Sequence, residues 1–288
     1  MPTNVEAFFD TATSTISYVV YDREGGTAAI VDPVLDFDSR SGQVSTQSAR
    51  RLLAFVAAKR LRVSWILETH IHADHLTAAD FLRRQTGGPV AIGAAVREVL
   101  QWFVPRLNLT GTVAVDGSQF DRLVQDGERL ALGEDFIDAM ALPGHTAADI
   151  AWRVGADVFV GDTIFLPDVG SARCDFPGGN ARELYASVRR LLNLAPETRL
   201  WMCHDYPPAG RSAAWLTTVA AQRAGNIHLQ DGLAEDQFVA MRNSRDAGLA
   251  VPALLWPALQ VNLRAGKLPE PEANGQAFLK IPLTTAAM

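Results

Sequence analysis

The heptapeptide Thr69-His70-Ile71-His72-Ala73-Asp74-His75 follows a short apolar run over residues 63–67 that predicts a β-strand. It places three imidazoles and one carboxylate within six residues at the end of that strand. In an extended segment, residues two apart point the same way, so we expect His70 and His72 to share a face. Asp74 and His75 follow at once and can present a second set of ligand atoms. Because imidazole and carboxylate suit zinc and iron, the stretch predicts a metal site.

Three later motifs offer groups of the same kind, each where a predicted strand gives way to a loop. They are Gly144-His145-Thr146 after residues 137–142, Gly161-Asp162-Thr163 after 158–160, and Cys203-His204-Asp205-Tyr206 after 200–202. Taken alone each motif is weak, because an Asp or His in a loop is usually a turn or capping residue. Together they indicate an open site at one edge of a sheet, where loops collect functional side chains.

Short strands and helices alternate in both halves of the chain. Residues 17–21 and 27–31 flank Glu24-Gly25-Gly26, which predicts a hairpin. Periodic apolar positions predict helices over residues 48–59, 78–84, 94–103, 181–194, 215–223 and 236–247. Strands flanked by helices in both halves predict an α+β fold, an αββα sandwich of two mixed β-sheets covered by helices.

Composition excludes several classes of protein. Of 288 residues, 48% are hydrophobic and 20% are charged, which is typical of a globular chain. A net charge of −6, without a run rich in Lys or Arg, provides no basic face for a nucleic-acid backbone. The start of the sequence lacks the basic residues and the long apolar stretch of a secretory signal peptide, and no apolar run is long enough to span a bilayer. With only Cys174 and Cys203 and hence no disulfide framework, we expect a cytoplasmic protein that binds neither nucleic acid nor membrane.

These motifs together resemble the metallo-β-lactamase superfamily, whose signature is HxHxDH followed by a distant His, Asp and His. We expect a catalytic domain of this fold over residues 1–250. The Pro- and Gly-rich composition that follows predicts a C-terminal covering segment over 251–288 that is not an independent domain. The resemblance also implies ligand sets by position. One metal site would be formed by His70, His72 and His145, and the other by Asp74, His75 and His204, with Asp162 able to bridge both.

The detailed sequences of these motifs are similar to those of the persulfide dioxygenase branch of that superfamily. Residues 69–77 match THxHADHxT, residues 30–34 read IVDPV as in that branch, residues 170–176 are similar to GxGRTDF, and His204-Asp205-Tyr206 matches HDY. The resemblance covers roughly residues 5 to 265. Ala172 and Cys174 stand where the branch has Gly and Thr, and Ala78 replaces a Gly, which indicates a divergent member.

This resemblance implies an iron-dependent persulfide dioxygenase that oxidises glutathione persulfide with O2 to sulfite and glutathione. His70, His145 and Asp162 would be catalytic residues that hold one Fe(II) per chain. Tyr206 would be a further catalytic residue, hydrogen-bonded near the reacting sulfur, and Arg173 would pair with a glutathione carboxylate. The groups that would orient these ligands, or form a second site, are His72, Asp74, His75 and His204.

Two alternative functions stay open at this point. The same ligands could hold two zinc ions, as in a hydrolase of the glyoxalase II or lactonase type, which attacks a thioester or lactone. A metal or thiol sensor without catalytic activity could be built on the same fold. The residues around Arg173 favour the dioxygenase, while the ligand set itself is compatible with either enzyme.

Several residues have alternatives of their own. Arg173 could pair with Asp175 as a structural contact instead of binding substrate. For Cys174 a buried, inert thiol is favoured over a persulfide relay, and Cys203 has no assigned role. His228 matches no motif and is expected to cap or lie on the surface. The apolar residues Leu254, Leu255 and Trp256 would suit either a core or a homodimer contact.

Overall fold

The computed structural model describes residues 3–283. The strands in that range are β1 (Asn4–Asp10), β2 (Thr15–Tyr21), β3 (Thr27–Val31), β4 (Val34–Asp38), β5 (Gln43–Ser45), β6 (Arg62–Leu67), β7 (Leu76–Thr77), β8 (Val90–Gly93), β9 (Arg122–Val124), β10 (Arg129–Leu132), β11 (Asp135–Ala141), β12 (Ile150–Val154), β13 (Asp157–Phe159), β14 (Arg199–Trp201) and β15 (Leu216–Thr218). The helices are α1 (Gln47–Ala58), α2 (Ala79–Thr86), α3 (Val96–Arg106), α4 (Ala181–Leu192), α5 (Val219–Gly225), α6 (Glu235–Asp246) and α7 (Leu255–Asn262).

Two six-stranded sheets form the centre of the molecule, with strand orders β1-β2-β3-β6-β8-β9 and β10-β11-β12-β13-β14-β15. Both are mixed: β3, β6, β8 and β9 are parallel in the first, and β13 and β14 are parallel in the second. Side chains of both sheets, including Tyr18, Leu67, Trp152 and Phe159, form one buried apolar layer between them. The predicted αββα sandwich is confirmed.

The helices cover the outer faces because each buries an apolar stripe against a sheet. Leu52 of α1, Leu82 of α2 and Leu100 of α3 lie in one apolar core on the first sheet. Leu184 of α4 and Phe238 of α6 lie in another core on the second sheet. The helix predicted over 215–223 is wrong at its start, because Leu216–Thr218 pair with β14 as β15. Helix α5 begins only at Val219, after Thr218 as its N-cap.

The segment after residue 250 contributes α7, whose Leu255, Ala258 and Leu259 lie in the same core as α1–α3. Leu254 and Trp256 are half-buried against that core, so these apolar side chains pack within the chain. The domain boundary and a homodimer stay predictions. Among residues 3–283, no helix combines the length and apolar composition needed to cross a bilayer.

Candidate metal centre

Loops at one edge of the sandwich carry the predicted ligands. They follow β6, β11, β13 and β14, and they bring His70, His145, Asp162 and His204 together. The loop with His145 passes directly over α4 at Gly144, whose φ is +145°. A Cβ at Gly144 would lie 2.3 Å from the backbone of Leu184. Only glycine therefore allows the approach that places His145 here.

The ligand atoms fall into two groups, in each of which they lie within 4.8 Å of one another. One group is His70, His145 and Asp162, and the other is His72, Asp74, His75 and His204. The carboxylate of Asp162 reaches both groups: Oδ2 is 3.7 Å from His145 Nε2 and Oδ1 is 3.4 Å from His204 Nε2. By distance His72 belongs to the second group, but its ring also lies beside His70, with ring centroids 4.0 Å apart. Which of these residues ligate stays a prediction.

Polar atoms at the centre of these groups are buried without a hydrogen-bond partner. They are Nε2 of His70, Nδ1 of His72, Oδ2 of Asp74, Nε2 of His75, Oδ1 of Asp162 and Nε2 of His204. Buried polar atoms nearly always make a hydrogen bond or bind an ion. Six neighbouring atoms that make no hydrogen bond therefore indicate a bound ion. Nitrogen and carboxylate donors in this arrangement fit zinc or iron. The residues form a metal-binding site.

The opposite sides of the rings are held by hydrogen bonds. His72 Nε2 is 3.0 Å from Asp32 Oδ1 and 3.5 Å from Glu68 Oε2, which leaves Nδ1 facing the second group. Asp32 also accepts from Thr69, at 2.8 Å from its backbone nitrogen and 2.9 Å from its Oγ1. His145 Nδ1 lies 2.8 Å from the carbonyl oxygen of Arg173. Such partners fix ring orientation and tautomer around metal sites.

The electrostatics of His70 and Asp74 favour the forms that bind metal, whereas Asp32 and Glu68 raise the pKa of His72 well above its ordinary value despite its burial. Burial lowers the pKa of His70 well below its ordinary value, and the neighbouring imidazoles of His72 and His145 lower it further. Burial also opposes ionisation of Asp74, but the imidazoles of His204 and His75 hold its pKa well below the ordinary value. Neutral imidazole and ionised carboxylate are the states that ligate metal ions.

Asn262 of α7 is a supporting residue that the sequence did not reveal. Its buried amide donates to the carbonyl oxygens of His72 and His75, both at 2.8 Å, and accepts from the backbone nitrogen of Thr77 at 2.8 Å. The loop that carries the second ligand group therefore depends on a helix about 190 residues away in the chain.

Replacing Asn262 by Ala is expected to weaken metal binding about 10- to 100-fold, the usual cost of losing a partner behind a ligand. Three lost hydrogen bonds should also destabilise the fold by about 2–4 kcal/mol. The matched control is Gln260→Ala on the same helix, since Gln260 is buried and bonds to Trp256 and Lys280 instead. Chelator competition and urea unfolding measure the two effects. Equal metal affinity in both variants would contradict the role of Asn262.

A cavity of about 600 Å³ opens beside the metal centre. Its lining includes Asp74, His145 and Asp162, together with Phe165 and Tyr206. The Tyr206 ring stacks on His204, with ring centroids 5.8 Å apart and planes at 15°. Although the Tyr206 residue is 47% exposed, partial desolvation of its hydroxyl and the nearby carboxylate of Asp162 raise its pKa, so it remains a hydrogen-bond donor.

Arg173 also lines the cavity, but its guanidinium is paired within the chain. Nε and Nη2 each lie 2.6 Å from a carboxylate oxygen of Asp175, and Nη1 donates to the carbonyl oxygen of Ala250 at 2.7 Å. The alternative contact with Asp175 is confirmed, and a contact with substrate stays a prediction. Cys174 is buried, and burial raises the pKa of its thiol to about 12, as expected for an inert thiol.

The expectation that His228 caps a helix or lies on the surface is wrong. Its side chain is buried, lines the cavity, and accepts through Nδ1 from the backbone nitrogen of Ser171 at 3.0 Å. Cys203 is buried as well, with Sγ 3.5 Å from Asp32 Oδ2.

Comparison with known proteins agrees with this geometry. The model of the metallo-beta-lactamase superfamily matches residues 11–204, which contain every residue of the two ligand groups. The chain belongs to the metallo-β-lactamase superfamily.

Relatives within the superfamily carry different names. The chain is 53% identical to the "Probable metallo-hydrolase" of Burkholderia pseudomallei (strain 1710b), over 97% of this chain and 98% of that protein. It is 43% identical to "Glyoxylase B2" of Dictyostelium discoideum, over 97% and 96% of the two chains. It spans only 64% of the length of the "Beta-lactamase hydrolase-like protein" of Xylella fastidiosa (strain Temecula1), to which it is 48% identical over 97% of this chain.

More distant members carry the name of the dioxygenase. The chain is 27% identical to the mitochondrial persulfide dioxygenase ETHE1 of Homo sapiens, over 92% of this chain and 89% of that protein. Among solved structures, ETHE1 from Myxococcus xanthus superimposes with a TM-score of 0.73 at 28% identity, over 92% of this chain and all of the other.

Proposed function

We propose that this metallo-β-lactamase superfamily member is an iron-dependent persulfide dioxygenase, which oxidises glutathione persulfide with O2 to sulfite and glutathione. The observation that carries the proposal is the group formed by His70, His145 and Asp162 beside the cavity. Two imidazoles and one carboxylate with open positions are typical of non-haem Fe(II) oxygenases. The similarity to the human persulfide dioxygenase supports it.

When bound, one ferrous ion per chain would hold both reactants side by side and supply the redox chemistry. The reaction consumes one O2 and one water for each persulfide, and it releases sulfite, the thiol and two protons. The terminal sulfur loses the electrons that O2 gains. No further electron donor is needed.

The chain's own residues orient the site and line the cavity. The contact with the Arg173 carbonyl oxygen fixes the ring of His145, and Thr69 Oγ1, 3.1 Å from Nδ1, does so for His70. Tyr206, whose hydroxyl is protonated near pH 7, can donate a hydrogen bond to a sulfur or oxygen atom in the cavity. The rings of Phe165 and Phe176 form an apolar part of its wall.

A dinuclear zinc hydrolase is the second candidate. It is favoured by the second ligand group, in which all four residues, His72, Asp74, His75 and His204, have an unpartnered buried atom. Asp162 reaches both groups and could bridge two ions. The relatives named as a metallo-hydrolase and as a glyoxylase agree with this alternative. Such a site would hydrolyse a thioester or a lactone.

Oxygen uptake by the iron-loaded protein with glutathione persulfide, together with metal analysis, separates the two candidates. We expect rapid uptake, sulfite formation and about one iron per chain. The control is the same protein with a glutathione thioester, for which we expect no hydrolysis. Thioester hydrolysis with about two zinc ions per chain and no oxygen uptake would favour the hydrolase.

A further inference from the structure

The cationic side chains of the cavity differ in how they are paired. Arg173 is paired with Asp175, and Arg242 is paired with Asp246 at 2.6 Å. Arg245, which is exposed and lines the same cavity, makes no ion pair or side-chain hydrogen bond among residues 3–283. The positive charges of the two paired arginines are balanced by the carboxylates of Asp175 and Asp246. Arg245 therefore adds an unpaired positive charge to the lining of the cavity.

His228 places a neutral donor in the same lining. Its Nδ1 accepts from the backbone nitrogen of Ser171, so the ring proton is on Nε2. The ring packs against Gly170, where a Cβ would lie 2.2 Å from Nδ1. Burial lowers the pKa of His228 to about 4, and the nearby charges of Arg242 and Arg245 contribute. The imidazole is thus neutral near pH 7, and Nε2–H is the polar atom it can offer to the cavity.

Buried contacts fix both residues relative to the metal centre. On α6, Arg242 donates to the carbonyl oxygen of Ser171 at 3.1 Å, and Asp246 accepts from the backbone nitrogen of Cys174 at 2.8 Å. The helix is therefore tied to the segment that contacts His145 and His228. Arg245 lies between these two α6 residues in sequence, so its backbone position is set by the same contacts.

We propose that Arg245 and His228 form a carboxylate-binding subsite of the cavity, which selects persulfides whose thiol carrier bears a carboxylate. This inference rests on the proposed dioxygenase function. A planar guanidinium binds a carboxylate through two parallel hydrogen bonds, and an imidazole N–H can add a third. Glutathione bears a carboxylate at each end of the molecule, away from its sulfur. A carrier such as cysteamine has none and would gain nothing from Arg245.

Calorimetric binding of glutathione to the metal-loaded protein, without oxygen, tests the subsite directly. Arg245→Ala is expected to weaken binding of glutathione about tenfold or more, and to leave binding of its diethyl ester unchanged. Arg245→Lys should recover part of the loss because the charge remains. His228→Phe retains a ring against Gly170 and should weaken only glutathione, about threefold or more. Arg40→Ala removes an exposed arginine outside the cavity and should change neither ligand.

Steady-state turnover supplies a second readout. With glutathione persulfide, Arg245→Ala should raise KM about tenfold and leave kcat within about twofold, because the contact is the same in the ground and transition states. With cysteamine persulfide, neither parameter should change. Equal glutathione binding by wild type and Arg245→Ala, or an equal loss for the diethyl ester, would overturn the subsite. If wild type consumes no oxygen, the dioxygenase proposal fails, while calorimetry still decides whether the carboxylate is bound.

Discussion

Replacing Asp162 by Ala is expected to abolish oxygen uptake and metal binding while leaving the fold intact. Asp162 reaches both ligand groups, through Oδ2 to His145 and Oδ1 to His204. Activity should fall by more than the roughly 10- to 100-fold that loss of a supporting group costs, because a ligand itself is removed. Oxygen electrode rates and metal analysis of the purified variant measure both effects.

The fold should survive because Asp162 contributes little to the metal-free protein. Its buried Oδ1 makes no hydrogen bond and only approaches His204 Nε2, at 3.4 Å, so little offsets the cost of its desolvation. We expect the free energy of unfolding of the metal-free protein to change by at most about 1 kcal/mol. Metal should raise the melting temperature of wild type but not of Asp162→Ala, because only a bound ligand shifts unfolding.

The matched control is Asp168→Ala, which removes a carboxylate from the same loop. Asp168 pairs with Arg211 at 2.7 Å and is outside the metal groups. This variant should retain metal content and activity. Wild-type oxygen uptake by Asp162→Ala would show that Asp162 is not a ligand of the catalytic ion.

The parts of the site that could be predicted from sequence depend on local geometry. The spacing of His70 and His72 and the strand-end positions of Asp162 and His204 each need only the few residues around them. Because a sandwich gathers strand ends at one edge, these local positions were enough to predict that the side chains meet. The hairpin of β2 and β3 follows in the same way from its Gly-rich turn and β-branched strands.

The parts that could not be predicted depend on partners far away in the chain. Asn262 is about 190 residues from the loop that it supports, and nothing near it marks that contact. His228 matches no motif, and its buried position could not be predicted because its partner Ser171 is 57 residues away. The predicted start of helix α5 is wrong because residues 216–218 pair with β14, and this pairing outweighs the helical pattern there. In contrast, Arg173 and Asp175 are only two residues apart, so their ion pair could be predicted from the sequence as an alternative.

Asp32 is the second residue for which we expect a large effect, and it acts behind the metal centre. It is buried and adopts a left-handed backbone with φ of +47°. Its carboxylate contacts His72 Nε2, both donors of Thr69, and the thiol of Cys203. Burial alone would raise the pKa of Asp32, but the charge of His72 and these hydrogen bonds hold it below the ordinary value. The carboxylate is therefore ionised in the folded protein.

Asp32→Ala should destabilise the fold by about 3–5 kcal/mol, because the donors of Thr69 are left buried without a partner and the imidazole of His72 keeps only Glu68, at 3.5 Å. Asp32→Asn is isosteric and tolerates the left-handed backbone, so it keeps an acceptor and should lose less. Because the folded-state pKa of Asp32 is lowered, its stabilising effect is complete above the unfolded pKa and is lost as the pH falls through the folded value. The difference between wild type and Asp32→Ala should therefore shrink in acid.

Urea unfolding of the metal-free protein at neutral and acidic pH measures the loss of stability. Metal competition measures the loss of metal affinity, which we expect to be about 10- to 100-fold. The matched control is Asp36→Ala, since Asp36 is also near the start of the chain but accepts from Ser48 on α1, at 3.0 Å from its backbone nitrogen and 2.7 Å from its Oγ. That variant should lose stability without losing metal. If Asp32→Ala unfolds at the wild-type urea concentration, or binds metal as tightly as Asp36→Ala does, His72 does not depend on Asp32 for its orientation. If Asp32→Ala loses both stability and metal affinity while Asp36→Ala loses only stability, the carboxylate of Asp32 holds the imidazole of His72 in place.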